Sequence, residues 1–426
     1  MKNRYDVIVA GSGPAGFAAA YYAATHGADV LLVEKGGTLG GMLTTGLMGI
    51  FCGWASSGLF ETIREELCRT SDKGGRRRTI YDIEEMKQFL YAKADECGMS
   101  LLLQAPVTGV QKDGASIRCL DVQAKEGHLQ LAADLFIDAT GDGDVAVFAG
   151  EAFTLGREED GKFQPMSLMV ELGGVETDTC AVLHGGKDEL VEKLRQYVDR
   201  GEVPYPVGHV IVIPGFREGT VKINMTNVID LDGTRSEDLT RAEIACRKQL
   251  ADIVHFLRKE AHGFENCYVS TTAGVVGVRE TRHIRGKYVL NERDISQGRV
   301  FDDWAVSHAR YGWGTHNLYG PIHGNGQAES KKSRYGNLPT DKPYTIPYRS
   351  LLPARTDNLL LAGRCISGTF LAHSNYRVMP ICMAMGQAAG TAAALCAETG
   401  SKLEAVDLAR LHEALIADGV EPPAEE

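Results

Sequence analysis

The chain has 426 residues, long enough for two or three domains of ordinary size with a sizeable buried core. Lys+Arg 45 against Asp+Glu 56 gives a formal net charge of -11, which argues against nucleic acid as a partner, because neutralising phosphates needs a basic surface. The ten cysteines are scattered, with no CxxC and no paired Cys/His spacing, so they read as reduced cytosolic thiols and give no metal site.

MKNRY leads directly into an apolar run, Val7 to Ala10, leaving no room for a signal peptide. No apolar stretch reaches the roughly 18 to 20 residues of a membrane span. The expected location is cytoplasmic, away from membranes. After Ala10 comes a turn with Gly11, Gly13 and Gly16, then a small-residue helix to about His26, then a second apolar run closed by Glu34. This is a βαβ unit with a dinucleotide fingerprint. Gly11 allows the tight turn, Gly13 lets backbone approach a pyrophosphate, and Gly16 lets helix and strand pack closely. Pro14 suits a first helical turn, where its missing donor is unneeded. The pyrophosphate belongs on the amides at the helix N-terminus, near Pro14 and Ala15. Glu34 is placed to accept from a ribose hydroxyl, and its charge disfavours a 2′-phosphate.

Gly36 to Gly58 holds eight glycines in an apolar setting, which suits backbone pressed against a flat ligand. Cys52 lies there without the second cysteine of a redox pair and reads as structural. The basic run Arg76-Arg77-Arg78 reads as a solvated loop. Asp82 with Glu85 opens a helix that Gly98 stops. Strands follow at Leu101–Gln104, Val107–Gln111, Ser116–Ala124 and His128–Ala133. Turns at Asp113-Gly114 and Glu126-Gly127 join them into an antiparallel meander. Asp134–Asp138 then runs into ATGDGD, a second place where backbone meets the nucleotide. Asp144 reads there as a turn former.

Beyond Phe163, strands (Ser167–Leu172, Val207–Ile213, Thr220–Asn224) alternate with helices near Lys187–Arg200 and Ser236–His262. Nothing in Ala181 to Lys259 has chemically suggestive spacing. This region reads as an inserted α+β substrate domain. Ser270 to Gly286 gathers Arg279, Glu280, Arg282, His283 and Arg285, as an internal Arg–Glu pair or, for Arg279, an anion or carbonyl clamp. Trp304 to Tyr344 carries six glycines, His308, His316 and His323 with no sustained period, and reads as an ordered active-site loop. Near the end, Leu359–Ala362 is a strand, a polar loop carries His373, Ser374, Asn375 and Arg377, and a helix runs from about Pro380 to Gly400. Its face Gly386, Ala389, Gly390 and Ala393 permits close packing on the first helix.

GSGPAG, Glu34, LGGMLTTGL, IDATGDGDVA, GVRETRHIRG and AGRCISGTFLAHSNYRVMP with MGQAAG together resemble the FAD-dependent oxidoreductase family of the glutathione-reductase-like class, distantly akin to fumarate reductases and thiazole-forming flavoproteins. The resemblance implies an α/β fold: a Rossmann-like FAD-binding domain with a β-meander (1–160 and 346–426) interrupted by an α+β substrate domain (161–345). It implies FAD, contacted by Gly11, Gly13, Pro14, Ala15, Gly16, Glu34, Lys35, Gly41, Met42, Val107, Thr140, Gly141, Gly363, Arg364, Met379 and Gly386. His373 and His316 are the candidate proton carriers, because imidazole titrates near neutral pH. Arg377 and Arg279 are candidate anchors for substrate oxygen.

No second glycine fingerprint with βαβ flanks appears, so electrons must pass between a small-molecule substrate and an external electron acceptor. The expected reaction moves a hydride between a small polar metabolite and the flavin. Oxidation of a sugar-like secondary alcohol is the first direction and C=C reduction the second, with a non-redox flavin or nucleotide-binding protein as the contrasting class. Homo-oligomerisation stays open.

Overall fold

The computed structural model describes residues 2, 4–72, 78–180, 182–184, 186–320 and 338–424. Arg76 and Arg77 of the basic run, and His323, lie outside them.

Five parallel strands form the centre: Ser100–Leu102, Val30–Val33, Arg4–Ala10, the end of Gly127–Asp138, and Leu359–Leu361. Strands covered on both faces must be apolar throughout, and VIVA, LLV and LLL are. The long strand Gly127–Asp138 has two jobs. Its first part alternates exposed and buried residues and pairs antiparallel with Ser116–Ala124, which pairs in turn with Val107–Asp113. Its last residues, Phe136 to Asp138, are buried and pair parallel with both Arg4–Ala10 and Leu359–Leu361.

The meander is therefore as expected for Val107 onward. Leu101–Gln104 is not part of it. Ser100–Leu102 instead pairs parallel with Val30–Val33 at the edge of the central sheet, because the capped helix before it acts as a crossover. That helix, Ile83–Glu96, starts where the Asp82 carboxylate accepts the Glu84 and Glu85 amides.

Helix Pro14–Thr25 lies on the sheet, and Met379–Thr399 packs against it. A Cβ on Gly386 would collide with the Ala15 carbonyl oxygen, and one on Gly390 with that of Ala19. Met379–Thr399 is long and apolar enough to cross a membrane, but 94% of its most apolar window is buried inside the protein. It is a core helix.

A second sheet is wholly antiparallel, ordered Val212–Pro214, Val221–Ile223, Val170–Gly173, Tyr268–Thr272. One face packs with helices Lys187–Asp199 and Ser236–Glu260 around Val170, Leu172, Val221, Ile223, Leu194, Phe256 and Leu257. Alternation along a strand sends Glu171, Lys222 and Asn224 to the other face. There Glu171 and Lys222, cross-strand partners, form an ion pair of 2.7 Å. The Lys222 stem lies against Gly49 in the glycine-rich loop.

Two stretches read as loop are ordered otherwise. Trp304–Ala309 is a strand paired with Tyr344–Pro347. The polar segment with His373 is a short helix, Phe370–Tyr376, whose Thr369 cap accepts the Ala372 amide.

Candidate active site

The nucleotide turn is built as its glycines require. Gly11 has φ +95°, and side chains on Gly11 or Gly16 would strike Ala139 or Gly11 backbone. Gly13 faces open space, and helix Pro14–Thr25 has no side-chain cap, so the amides of its first turn, including Ala15, stay available to an anion. Glu34 holds the turn from behind: one carboxylate oxygen accepts the Ser12 amide and hydroxyl, both at 2.7 Å, and the other accepts the Gly36 amide at 2.6 Å. Lys35 is exposed and Val107 half-buried at the start of its strand. Gly41, at φ +52°, backs onto the Gly13 Cα.

The second sheet end closes over the same place. Thr140 donates its amide and hydroxyl to Asp138 Oδ1, and its hydroxyl oxygen accepts the Asp144 amide. Gly141, at φ +86°, lies under the Arg364 guanidinium, which donates to Asp142 Oδ1 at 3.1 Å while Nη1 has no partner among the described residues. Gly363, at φ +87°, touches Ala15 Cβ. Asp144 is more than a turn former: it pairs with Arg282 at 2.7 Å.

The helix beginning at Met379 also has an uncapped N-terminus. Gly53 touches Val378 and Tyr311, Gly314 touches Ser374 and Arg377, and Gly277 approaches Met42. These contacts bring the Met42 loop, the His316 segment and the His373–Met379 segment to one place.

Arg279 and Glu280 do not pair with each other. Glu280, fully buried, accepts from His283 Nε2 at 2.9 Å and from the Gln164 amide at 3.1 Å. Arg279 donates to the Pro165 carbonyl, to Ser167 Oγ at 2.8 Å and to Asn224 Oδ1 at 3.5 Å. Arg377 donates to the Gly314 carbonyl at 2.7 Å, and its Nε has no partner among the described residues. Burial lowers both guanidiniums, and the Arg377 charge helps bring Arg279 down to about 9. Arg279 is still a cation at neutral pH.

His316 is half-buried. Its amide donates to Gln164 Oε1 at 3.4 Å, and its ring meets that of His209 edge-on at 5.9 Å. Burial, then the Arg279 charge, brings His209 down to about 3 and holds His316 well below its usual range. His373 is 1% exposed, with Nδ1 unpartnered and its ring edge-on to His283 at 4.9 Å. Burial and His283 lower it too. All three rings are neutral at neutral pH.

Cys52 is held protonated by burial. The sequence reading missed Gln164, His209 and Asn224. His209 had one signal, a lone polar ring within the apolar run Val207–Ile213; Gln164 had none.

A profile of the family described as FAD dependent oxidoreductase matches residues 6–415. Among curated proteins, a digeranylgeranylglycerophospholipid reductase of Methanosarcina mazei is 63% identical over 35 residues, 8% of this chain and 9% of that protein. A vinyl phenol reductase of Lactiplantibacillus plantarum is 54% identical over 50 residues, 11% of this chain and 10% of that one. Both matches thus span about a tenth of the curated relatives. A solved geranylgeranyl bacteriochlorophyll reductase-like protein from Thermoplasma acidophilum shares the fold, with TM-score 0.51 and 14% identity, over 98% of this chain and 84% of that one.

FAD fits the residues present: open space over Gly13, uncapped helix amides, and a buried Arg364 Nη1 without a partner above Gly141. With the match running through nearly its whole length, the chain belongs to the FAD dependent oxidoreductase family.

Proposed function

We propose that the enzyme transfers a hydride between FAD and a small polar metabolite bound in the cavity bounded by Met42, His316, Arg377 and Arg279, and passes electrons on to an external acceptor. The observation that carries this reading is the meeting of neutral imidazole with the guanidiniums of buried Arg279 and half-buried Arg377 beside an uncapped helix N-terminus. FAD, when bound, supplies the hydride acceptor or donor.

The chain's own part is orientation and proton handling. Arg279 and Arg377 hold substrate oxygen, and His316, neutral and on the cavity wall, takes the hydroxyl proton as carbon loses hydride. His373 lies one turn before Arg377, whose amide donates to the His373 carbonyl at 3.1 Å. The helix starting at Met379 presents positive potential to charge that develops on the ligand side. Oxygen, a soluble carrier or another protein serves as the acceptor for an alcohol oxidation.

A second direction, reduction of a polarised C=C bond with a reduced carrier as donor, has the support that both short curated matches bear the names of reductases. The test is spectral. Polyols, sugars and hydroxy acids are mixed anaerobically with the oxidised enzyme, and α,β-unsaturated acids with the photoreduced enzyme. Bleaching by the first group supports oxidation, and reoxidation by the second supports reduction. No change with either sinks the hydride-transfer reading.

A further inference from the structure

We propose that this cavity contains a carboxylate-recognition pocket, built on Arg279 and completed by Gln164 and His209, so that the substrate is a small carboxylic acid. The inference rests on the reading above and names its substrate class.

Arg279 is 8% exposed, and every acceptor it meets is neutral: a carbonyl, a hydroxyl and an amide oxygen. It has no ion pair among the described residues. The nearby acids are committed elsewhere. Glu280 takes His283 and Gln164, Glu171 takes Lys222, and Glu243 takes the Val276 amide and Arg247. A buried cation without a counter-charge is costly, and here a second one, Arg377, acts on it. Neutral acceptors orient the guanidinium without compensating its charge. An anionic ligand would do both.

Independent observations place ligand contacts beside it. Gln164, 1% exposed, has Nε2 without a partner among the described residues, and its Oε1 is already held by the His316 amide. His209, 8% exposed, directs one ring nitrogen toward the Asn224 backbone and has the other without a partner among the described residues. A neutral imidazole offers one donor and one acceptor, and Gln164 Nε2 offers donors. Together these suit a carboxylate with a neighbouring hydroxyl, which donates to the free imidazole nitrogen. The donors are single side-chain groups, not a glycine nest or a helix N-terminus. Arg279 has few N–H groups left after Pro165, Ser167 and Asn224, so it meets a ligand mainly as one positive charge, which suits a monoanionic carboxylate better than a phosphate.

The FAD-loaded enzyme is titrated with acetate, glycolate, acetamide and inorganic phosphate, following the flavin difference spectrum. Acetate and glycolate should bind saturably, with glycolate the tighter and acetamide weaker than acetate by at least about tenfold. Arg279→Gln should weaken acetate by at least about 30-fold without changing acetamide, with flavin content confirming that the variant is folded. His209→Phe should erase the preference for glycolate over acetate. Equal binding of acetate and acetamide, tighter binding of phosphate than of acetate, or unchanged acetate affinity in Arg279→Gln would overturn the proposal. If Arg279→Gln fails to hold flavin, Arg279→Lys replaces it. Retained discrimination between acetate and acetamide then supports the pocket, and lost discrimination overturns it. Because this readout needs no turnover, it fails or stands separately from hydride transfer: acetate discrimination with no redox substrate would remove the oxidoreductase assignment of the cavity and leave the pocket.

Discussion

Gly386 lies directly against the carbonyl oxygen of Ala15, so helices Met379–Thr399 and Pro14–Thr25 meet backbone to backbone. The two helices are thereby locked to each other more than three hundred residues apart in sequence.

Gly386→Val should therefore destabilise the fold severely. The added carbons meet main chain, which cannot rotate aside as a side chain could. Overpacking usually costs about 1 to 3 kcal/mol, and this site belongs at or above the top of that range. Denaturant melts of the FAD-free protein would measure it. A loss under about 1 kcal/mol would mean the helices separate easily.

That contact was legible in the sequence, because Gly386, Ala389, Gly390 and Ala393 fall on one helical face with no other purpose. The βαβ unit was equally legible: its strands, turn and acid are local features. The pocket was not. Asn224 reaches Arg279 only because it follows Lys222 by two residues and so leaves the sheet on the face opposite Val221 and Ile223. Gln164 matters through what it touches, a backbone amide of His316 about 150 residues later, and its own neighbours in sequence carry no pattern. The edge strand Ser100–Leu102 illustrates the same limit, since local composition marks it as a strand and only its partner, Val30–Val33, makes it parallel.

Glu34→Gln should loosen the glycine turn. The carboxylate accepts three donors from Ser12 and Gly36, and an amide replaces one accepting oxygen by a donor. Leaving one amide unpaired costs about 1 to 3 kcal/mol. The expected outcome is a lower melting temperature without FAD and faster FAD release, with the spectrum of the remaining bound flavin unchanged. Full retention of both would show that the turn does not depend on this acid.

Arg364→Gln tests the other side of the nucleotide. It removes the cation over Gly141 and leaves Asp142 with Thr281 as partner at 2.7 Å. FAD affinity should fall by about 10- to 100-fold, as expected for losing a charged hydrogen-bond donor. Measured by equilibrium dialysis, the loss should shrink in high salt because both variants are then screened.

Acid should unfold the protein through its buried histidines. His209, His316 and His373 all have lowered folded-state values, His209 to about 3 from 6.5. A base lowered on folding binds more protons when unfolded. Its stabilising contribution is complete above pH 6.5 and is lost as pH falls through that value toward the folded one, at about 1.4 kcal/mol per pH unit for each ring. His209→Phe cannot take up the proton, so the slope of stability against pH between about 6 and 4 should decrease by one proton. An unchanged slope would mean that His209 is already protonated in the folded protein.

Glu280 offers the last test, because it ties three parts of the site together. Its carboxylate joins His283, which packs on His373, to the Gln164 amide, whose side chain holds His316. Glu280→Leu strands the His283 nitrogen and the Gln164 amide in a dry interior and should cost about 3 to 5 kcal/mol. Replacing both members, Glu280→Leu with His283→Phe, removes one of the two stranded groups and should recover part of that loss, the Gln164 amide remaining unpaired. The cycle of two single variants and the double, read by denaturant melts, therefore predicts a double variant more stable than Glu280→Leu alone. A double variant with the summed loss would show that Glu280 and His283 act independently.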